Sequence, residues 1–457
     1  MRKDFIPIAE AEMSQRKIIL LFIATFFIIA STHIVSAVRQ KAAAASSSES
    51  TIGLEESESA LHMKSTDELI TFWKARFDRD PQDFISLTYL GQSYIRKGRE
   101  TGDVSAYGRA EAALRKSLNI NPDYETTLAL LSADLFVQHN FQGALDLANR
   151  VYVTDPRALQ ALATIGDAQL ELGNYSDAAV AYRTLNEKNP RPSVDSRLAR
   201  LTWLQGNPDK ALALMQQAVD ESTQAGLSGE NLAWYHFQLG ELYFNTGQLE
   251  KADTQYSAAL DAFNNYYLAL AGRGKVRAAQ GDYDKAIAFY EQAVRIIPQP
   301  DLLAALGDLY TLTDDSAKAK HEYDTVEFIG KLQAINQVIY NRQLALFYAN
   351  HNIKVDESLN LAQKEITTRK DIYAYDTLAW ALYKNGRYSE AADAIKLAMK
   401  LGTRDALLYY HAGMIYEALG DDDLARTMLS QALKINPHFD LMQSHVARLT
   451  LASLRKH

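Results

Sequence analysis

Apolar residues recur at helical spacing in paired blocks along most of this chain. Near residue 240, Leu239, Leu242 and Tyr243 share one face of a first helix, and Leu249, Ala252, Tyr256 and Ala259 one face of a second. Polar turns separate the blocks: Thr246-Gly247-Gln248, Gln280-Gly281-Asp282-Tyr283 and Asn385-Gly386-Arg387-Tyr388, each with glycine where a left-handed C-cap is wanted. Second blocks stop at Pro122, Pro156, Pro190, Pro298 and Pro437, and proline cannot continue a helix. The pattern predicts a succession of helix–turn–helix units.

Two ladders of small residues say how the units stack. The first runs Gly91, Ser132, Gly166, Ala199, Gly240, Gly274, Gly307, Ala345, Ala379 and Gly413, at intervals of 33 to 41 residues, most often 34. The second runs Ala110, Ala144, Ala178, Ala211, Ala252, Ala286, Ala319, Ser358, Ala391 and Ala425, and follows the first by 12 residues in eight of ten cases. One small residue on each of two helices, a helix and a turn apart, lets two backbones cross at close range.

A 34-residue helix–turn–helix with this pattern resembles the tetratricopeptide repeat. Gly240-Glu-Leu-Tyr243 with Gly247, Ala252, Tyr256 and Ala259-Leu260 matches that family closely, and ten units stay in phase from about Asp83 to His438. The resemblance implies an all-α fold, a right-handed superhelical α-solenoid of about ten repeats. Tyr375-Asp-Thr-Leu-Ala-Trp380, Gly402-Thr-Arg-Asp405, Tyr410-His-Ala-Gly413 and Asn436-Pro-His-Phe439 are similar to a lineage of exported bacterial repeat proteins, which adds no activity.

The first 64 residues differ in kind. Ile18 to Val38 carries no acidic or basic residue and, as a helix, would be about 32 Å long, enough to cross a bilayer. Arg2, Lys3, Arg16 and Lys17 precede it, and the bias predicts the repeats outside the cytoplasm. Two readings stand, an uncleaved anchor or a signal peptide removed after Val35-Ser36-Ala37. The expected layout is a cytoplasmic leader at 1–17, the transmembrane or signal helix at 18–38 and an Ala/Ser/Glu linker at 39–64. A capping helix at 65–82, the repeats at 83–439 and a second capping helix at 440–457 follow. Ser65-Thr-Asp-Glu68 opens the first cap as a capping box, and Phe439, Met442, Val446 and Leu449 form the apolar stripe of the last. The expected location is a bacterial inner membrane, single-pass, with the repeats in the periplasm, or a secreted or periplasmic chain after cleavage.

Composition excludes several classes of function. A net charge of −8 without a basic strip argues against nucleic acid, and the absence of cysteine excludes disulfides, thiolate metal sites and a catalytic thiol. Gly272-Arg-Gly-Lys275 lacks P-loop spacing, and Gly420-Asp-Asp-Asp423 is no calcium loop. The scattered histidines make no His-Glu-x-x-His, and no nucleophile elbow occurs. The chain is expected to be no enzyme and to carry no cofactor and no metal.

In the resembling family, first helices line an inner curve. Carrying the groove positions over gives two clusters of partner-binding candidates: Arg197, Arg200, Trp203, Trp234, Phe237, Glu241 and Phe244, then Tyr373, Asp376, Trp380, Tyr383, Lys384, Tyr410 and His411. Aromatic and arginine side chains dominate binding hot spots, and packing between helices is the competing use of the same residues. Position 6 of the repeats holds no asparagine, so the known carboxylate-clamp and asparagine-ladder modes do not transfer. The expectation is a scaffold for an extended peptide or helix, membrane-tethered through its first helix and serving an envelope complex. The alternative is a periplasmic module that binds a glycan or small ligand in polysaccharide export or envelope remodelling.

Overall fold

A computed structural model describes residues 65–101, 103–335 and 341–454. Among these residues the secondary structure is 22 helices and no strand. The chain divides into two compact units, one ending at Gln138 and the other beginning at His139. The leader, the 18–38 segment and the linker lie outside the described residues.

The first unit holds α1 (Thr66–Arg79), α2 (Phe84–Thr101), α3 (Val104–Ile120) and α4 (Glu125–Val137). Ser65 accepts the Glu68 N–H while the Glu68 carboxylate accepts the Ser65 N–H at 2.8 Å, so α1 opens on a capping box. Trp73 of α1 stacks on Tyr89 of α2 at 4.9 Å. Ala110 is fully buried beside Gly91, where an added Cβ would overlap Leu114. Three buried hydroxyls, Thr88, Ser117 and Thr127, hydrogen-bond one another at 2.6–3.1 Å and satisfy polar atoms inside this small core.

The second unit opens with α5 (Phe141–Thr154) and continues in helix pairs. These are α6 (Leu159–Glu171) with α7 (Tyr175–Lys188), α8 (Pro192–Leu204) with α9 (Pro208–Gln224), and α10 (Gly229–Asn245) with α11 (Leu249–Ala262). Then come α12 (Tyr267–Ala279) with α13 (Tyr283–Ile296), α14 (Pro300–Leu312) with α15 (Ser316–Ile335), and α16 (Asn341–Asn350) with α17 (Val355–Thr368). The last are α18 (Ile372–Lys384) with α19 (Tyr388–Ala398), α20 (Ala406–Ala418) with α21 (Asp422–Ile435), and a single α22 (Gln443–Leu454).

The small-residue ladders are the crossing points. Gly166, Gly240, Gly274 and Gly307 each lie so close to a tyrosine of their partner helix (Tyr182, Tyr256, Tyr290, Tyr323) that any Cβ would enter the ring. Where serine replaces alanine, Ser358 donates its hydroxyl to the Ala345 carbonyl at 2.7 Å, one ladder residue satisfying the other. Most helices have 13 or 14 residues, but α2 has 18, α3, α9 and α10 have 17 each, and α15 has 20.

Repeats six apart meet within the second unit. The Lys370 N–H donates to the Glu171 carbonyl, the Thr403 hydroxyl to the Leu204 carbonyl, and the Asn436 amide to the Phe244 carbonyl. Each acceptor lies at the carboxyl end of a first helix, where carbonyls lack an intrahelical donor, so the later loops cap α6 and α8; at α10 Phe244 already accepts the Gly247 N–H, and Asn436 adds a second donor. Tyr175 adds a rung, its hydroxyl accepting the Ile372 N–H at 2.8 Å across 197 residues. Gly173 and Gly206 make the approach: both have left-handed φ (+80° and +76°), and a Cβ on either would strike the carbonyl of Lys370 or Gly402.

The terminal helix differs from expectation. Gln443, Ser444, Ala447, Leu451 and Leu454 face inward, whereas Met442, Val446 and Leu449 are exposed. Alanine at 447 permits close approach to Leu429 and Ala432 of α21, and Gln443 donates to Asn350 at 2.7 Å, so packing and hydrogen bonding turn the bulkier stripe outward.

Candidate partner-binding cavity

The inner-face residues are cross-linked by a recurring device. An acid directly after the ladder glycine accepts a hydrogen bond from a tyrosine hydroxyl 15 residues later: Tyr182 to Asp167 at 2.8 Å, Tyr256 to Glu241 at 2.5 Å, Tyr323 to Asp308 at 2.7 Å. The same acid then takes a cation from the next repeat. Arg197 forks onto Asp167, Lys275 meets Glu241 at 2.9 Å and His351 meets Asp308 at 2.7 Å. Asp308, the nearest charge, lifts the His351 pKa against the opposing pull of burial.

This device absorbs much of the first candidate cluster. Arg197 is buried with Asp167, and burial of an ion pair is tolerated only with such full hydrogen bonding. Arg200 binds Glu171 at 2.6 Å, and Glu171 also meets Arg369 at 2.8 Å. Burial alone would raise the Glu171 carboxyl; Arg369 and then Arg200 override it and hold the pKa below its usual range. Trp203 donates to the Tyr373 hydroxyl at 3.1 Å, which itself donates to Asp405. Trp234 is buried edge-on against Tyr235.

The second cluster also turns inward. Asp376 bonds Nδ1 of fully buried His411 at 2.8 Å. Trp380 lies between Tyr383 and His411, with ring centroids at 4.8 and 4.2 Å, and donates to Asn350 at 2.8 Å. Lys384 sits over the Trp380 ring at 4.8 Å, and Tyr410 contacts Phe439 at 5.3 Å. Two things cover these side chains: the meeting of the fourth and ninth repeats around Trp203 and Tyr373, and α22 around Trp380 and Tyr410.

Phe237, Glu241 and Phe244 have a different place. They line a cavity of 570 Å³ bounded by the first helices α10, α12, α14 and α16 and by residues 438–448. Tyr290, Phe347 and Phe439 add aromatic wall, and Asp301, Asp308 and Asp440 add carboxylates. Four acids therefore stand round Tyr290, whose hydroxyl pKa is driven far up by burial first and then by Asp301, Glu241, Asp308 and Asp440. Sequence reasoning missed Asp301, Asp308, His351 and Asp440. The acid after Gly307 with Tyr323 fifteen residues on was a legible signal for Asp308, but Asp440 joins the cavity only through the path of the C-terminal segment.

Comparison with known proteins assigns the repeats. Models of the family described as Tetratricopeptide repeat match residues 131–190, 191–265, 237–299 and 406–439. The chain carries tetratricopeptide repeats. Tetratricopeptide repeat protein 1 of Schizosaccharomyces pombe is 24% identical over 78% of this chain and 33% of its own length. BBSome complex member BBS4 of Mus musculus is 31% identical over 42% of this chain and 32% of its own length. The chain thus spans about a third of the length of each of these two relatives. A solved tetratricopeptide repeat protein from Parabacteroides merdae is 17% identical and covers 60% of this chain and 97% of its own, with a TM-score of 0.44.

One expectation is corrected. Location in a bacterial inner membrane with periplasmic repeats, or as a secreted form, is not upheld: no helix among the described residues is long and apolar enough to cross a membrane. The stretch at 18–38 that carried the expectation lies outside those residues. The comparisons likewise give no support to a membrane or glycan partner.

Proposed function

We propose that this tetratricopeptide-repeat chain is a non-catalytic scaffold that seats a segment of a partner protein in the cavity of its second unit. The observation that carries the reading is the wall itself: first helices of four successive repeats converge on one space of 570 Å³ with aromatic and charged lining. That volume and chemistry suit a ligand site. Phe237, Glu241 and Phe244 are the contact residues retained from the sequence, while the other candidates act by holding the wall. Membership of an assembly in the name of the BBSome relative supports a protein partner.

A photoreactive amino acid at Ala305, in the cavity wall, tests the reading in cells that make the protein. The expected result is a discrete protein adduct at Ala305 and none at Val180, which is 53% exposed and lies outside the cavity. Equal labelling at both positions would remove the cavity as the docking site.

A further inference from the structure

We propose that the cavity takes the charged end of an arginine or lysine side chain on the partner segment, seated against the aromatic walls and held by Asp301 and Asp440. This rests on the docking reading above and adds the chemistry of the occupant.

The argument is a balance of charge. Of the four cavity carboxylates, Glu241 is met by Lys275 and Asp308 by His351. Asp301 and Asp440 form no ion pair among the described residues. Asp440 accepts only backbone N–H groups, from Met442 at 2.9 Å and Gln443 at 2.7 Å, and Asp301 stands in the first turn of α14. Asp440 is half-buried, and burial, joined by Asp308, raises its carboxyl above the usual range while His411 pulls the other way; Asp301 is an exposed residue of the cavity wall, on which Lys275 and Glu241 act with opposite sign. A cation on the partner segment would complement this acidic lining.

The remaining cations do not fill the role. Arg448 is exposed and donates to the Pro437 carbonyl at 2.9 Å, and His438 is lowered in pKa by burial and then by Arg448. Among the described residues no group of three or more histidine and acidic side chains is placed to hold a metal ion. The walls favour an organic cation instead, since aromatic faces attract guanidinium and ammonium groups. The cavity already shows the contact once, with Lys275 Nζ 4.8 Å over Phe244. An acidic segment would face two carboxylates that form no ion pair among the described residues.

A random peptide library displayed on phage, panned against the full chain and against Ala305→Trp, tests both statements separately. The expected clones bind the open cavity, are lost on Ala305→Trp and are enriched in arginine or lysine. A synthetic peptide from such a clone is expected to bind the Asp301→Asn/Asp440→Asn variant at least about tenfold more weakly, as loss of charge-assisted hydrogen bonds requires. Asparagine at 440 keeps an oxygen for the two backbone donors, and Asp423→Asn, far out in solvent, serves as control. Cavity-dependent clones without basic enrichment, or unchanged binding by the double variant, would overturn the charge assignment and leave the docking reading standing. Absence of any clone that depends on the open cavity would overturn both. If Ala305→Trp loses its helical circular dichroism, Gln343→Trp fills the same space from α16.

Discussion

Lys370 donates its backbone N–H to the carbonyl of Glu171 at 3.0 Å, and the two residues stand in repeats six apart. A solenoid held only by neighbouring repeats has no such bond. In the second unit the rungs at Glu171, Tyr175, Leu204 and Phe244 recur at separations of 192–199 residues, so the meeting is a regular register.

Glycine at 206 is where that register is most sensitive. Gly206 and Gly281 share left-handed φ, +76° and +79°, but only Gly206 has a carbonyl, that of Gly402, where a Cβ would go. Gly281→Ala is expected to cost about 1 kcal/mol, from backbone strain alone. Gly206→Ala is expected to cost at least about 1 kcal/mol more, as overpacking does. Urea unfolding of both variants measures the difference, and equal losses would mean the repeats do not meet at Gly402.

Arg197 tests whether the inner face packs or binds. Arg197→Met leaves the Asp167 carboxylate buried without its cation and is expected to cost about 3–5 kcal/mol. Arg387→Met, at an exposed pair with Glu390, is expected to leave stability nearly unchanged. A small loss at Arg197 would show that its guanidinium is free for a partner.

Asp195 gives the protein a pH dependence of unusual sign. Burial, helped by Glu221, pushes its carboxyl up to about 6 from 3.8. Between these values the folded chain keeps a proton that the unfolded chain releases, so stability falls as pH rises through about 6. The loss is on the order of 2 kcal/mol at neutral pH. Glu171 works the other way: its lowered pKa stabilises the fold above 4.5 and the benefit fades as pH falls toward its folded value. Thermal melts of wild type and Asp195→Asn from pH 4 to 8 should diverge upward, with Asp195→Asn the more stable at pH 8; parallel curves would refute the assignment.

The terminal helix supplies a face-by-face check. Leu451 is 7% exposed and Leu449 59%. Leu451→Ala is expected to cost about 2–4 kcal/mol, within the range for buried leucine, and Leu449→Ala less than about 0.5 kcal/mol. The reverse order would put the stripe of Met442, Val446 and Leu449 back against the core.

The repeat architecture was legible because close helix crossings need small residues, and the ladders from Gly91 to Gly413 display that need directly in sequence. Turn glycines were legible in part, since the same left-handed turn is also made by His139, Asp314 and Asn352. The candidate site was legible only in Phe237, Glu241 and Phe244. Whether Trp203 or Trp380 faces a partner or its own chain depends on what lies five repeats away, and on how α22 turns, and neither is a local property of the pattern. For Met442, Val446 and Leu449 hydrophobicity pointed one way, and the hydrogen bond from Gln443 to Asn350 with the slim Ala447 pointed the other.

The rungs also bear on synthesis. A chain of stacked hairpins can ordinarily fold piece by piece as it leaves the ribosome. Here the terminal carbonyls of α6 and α8 wait for donors encoded 199 residues downstream. Those early helices stay unfinished for roughly 10–40 s at ordinary elongation rates. A nascent chain stalled before Lys370 would therefore leave the Glu171 carbonyl and the indole of Trp203 without the later residues that meet them.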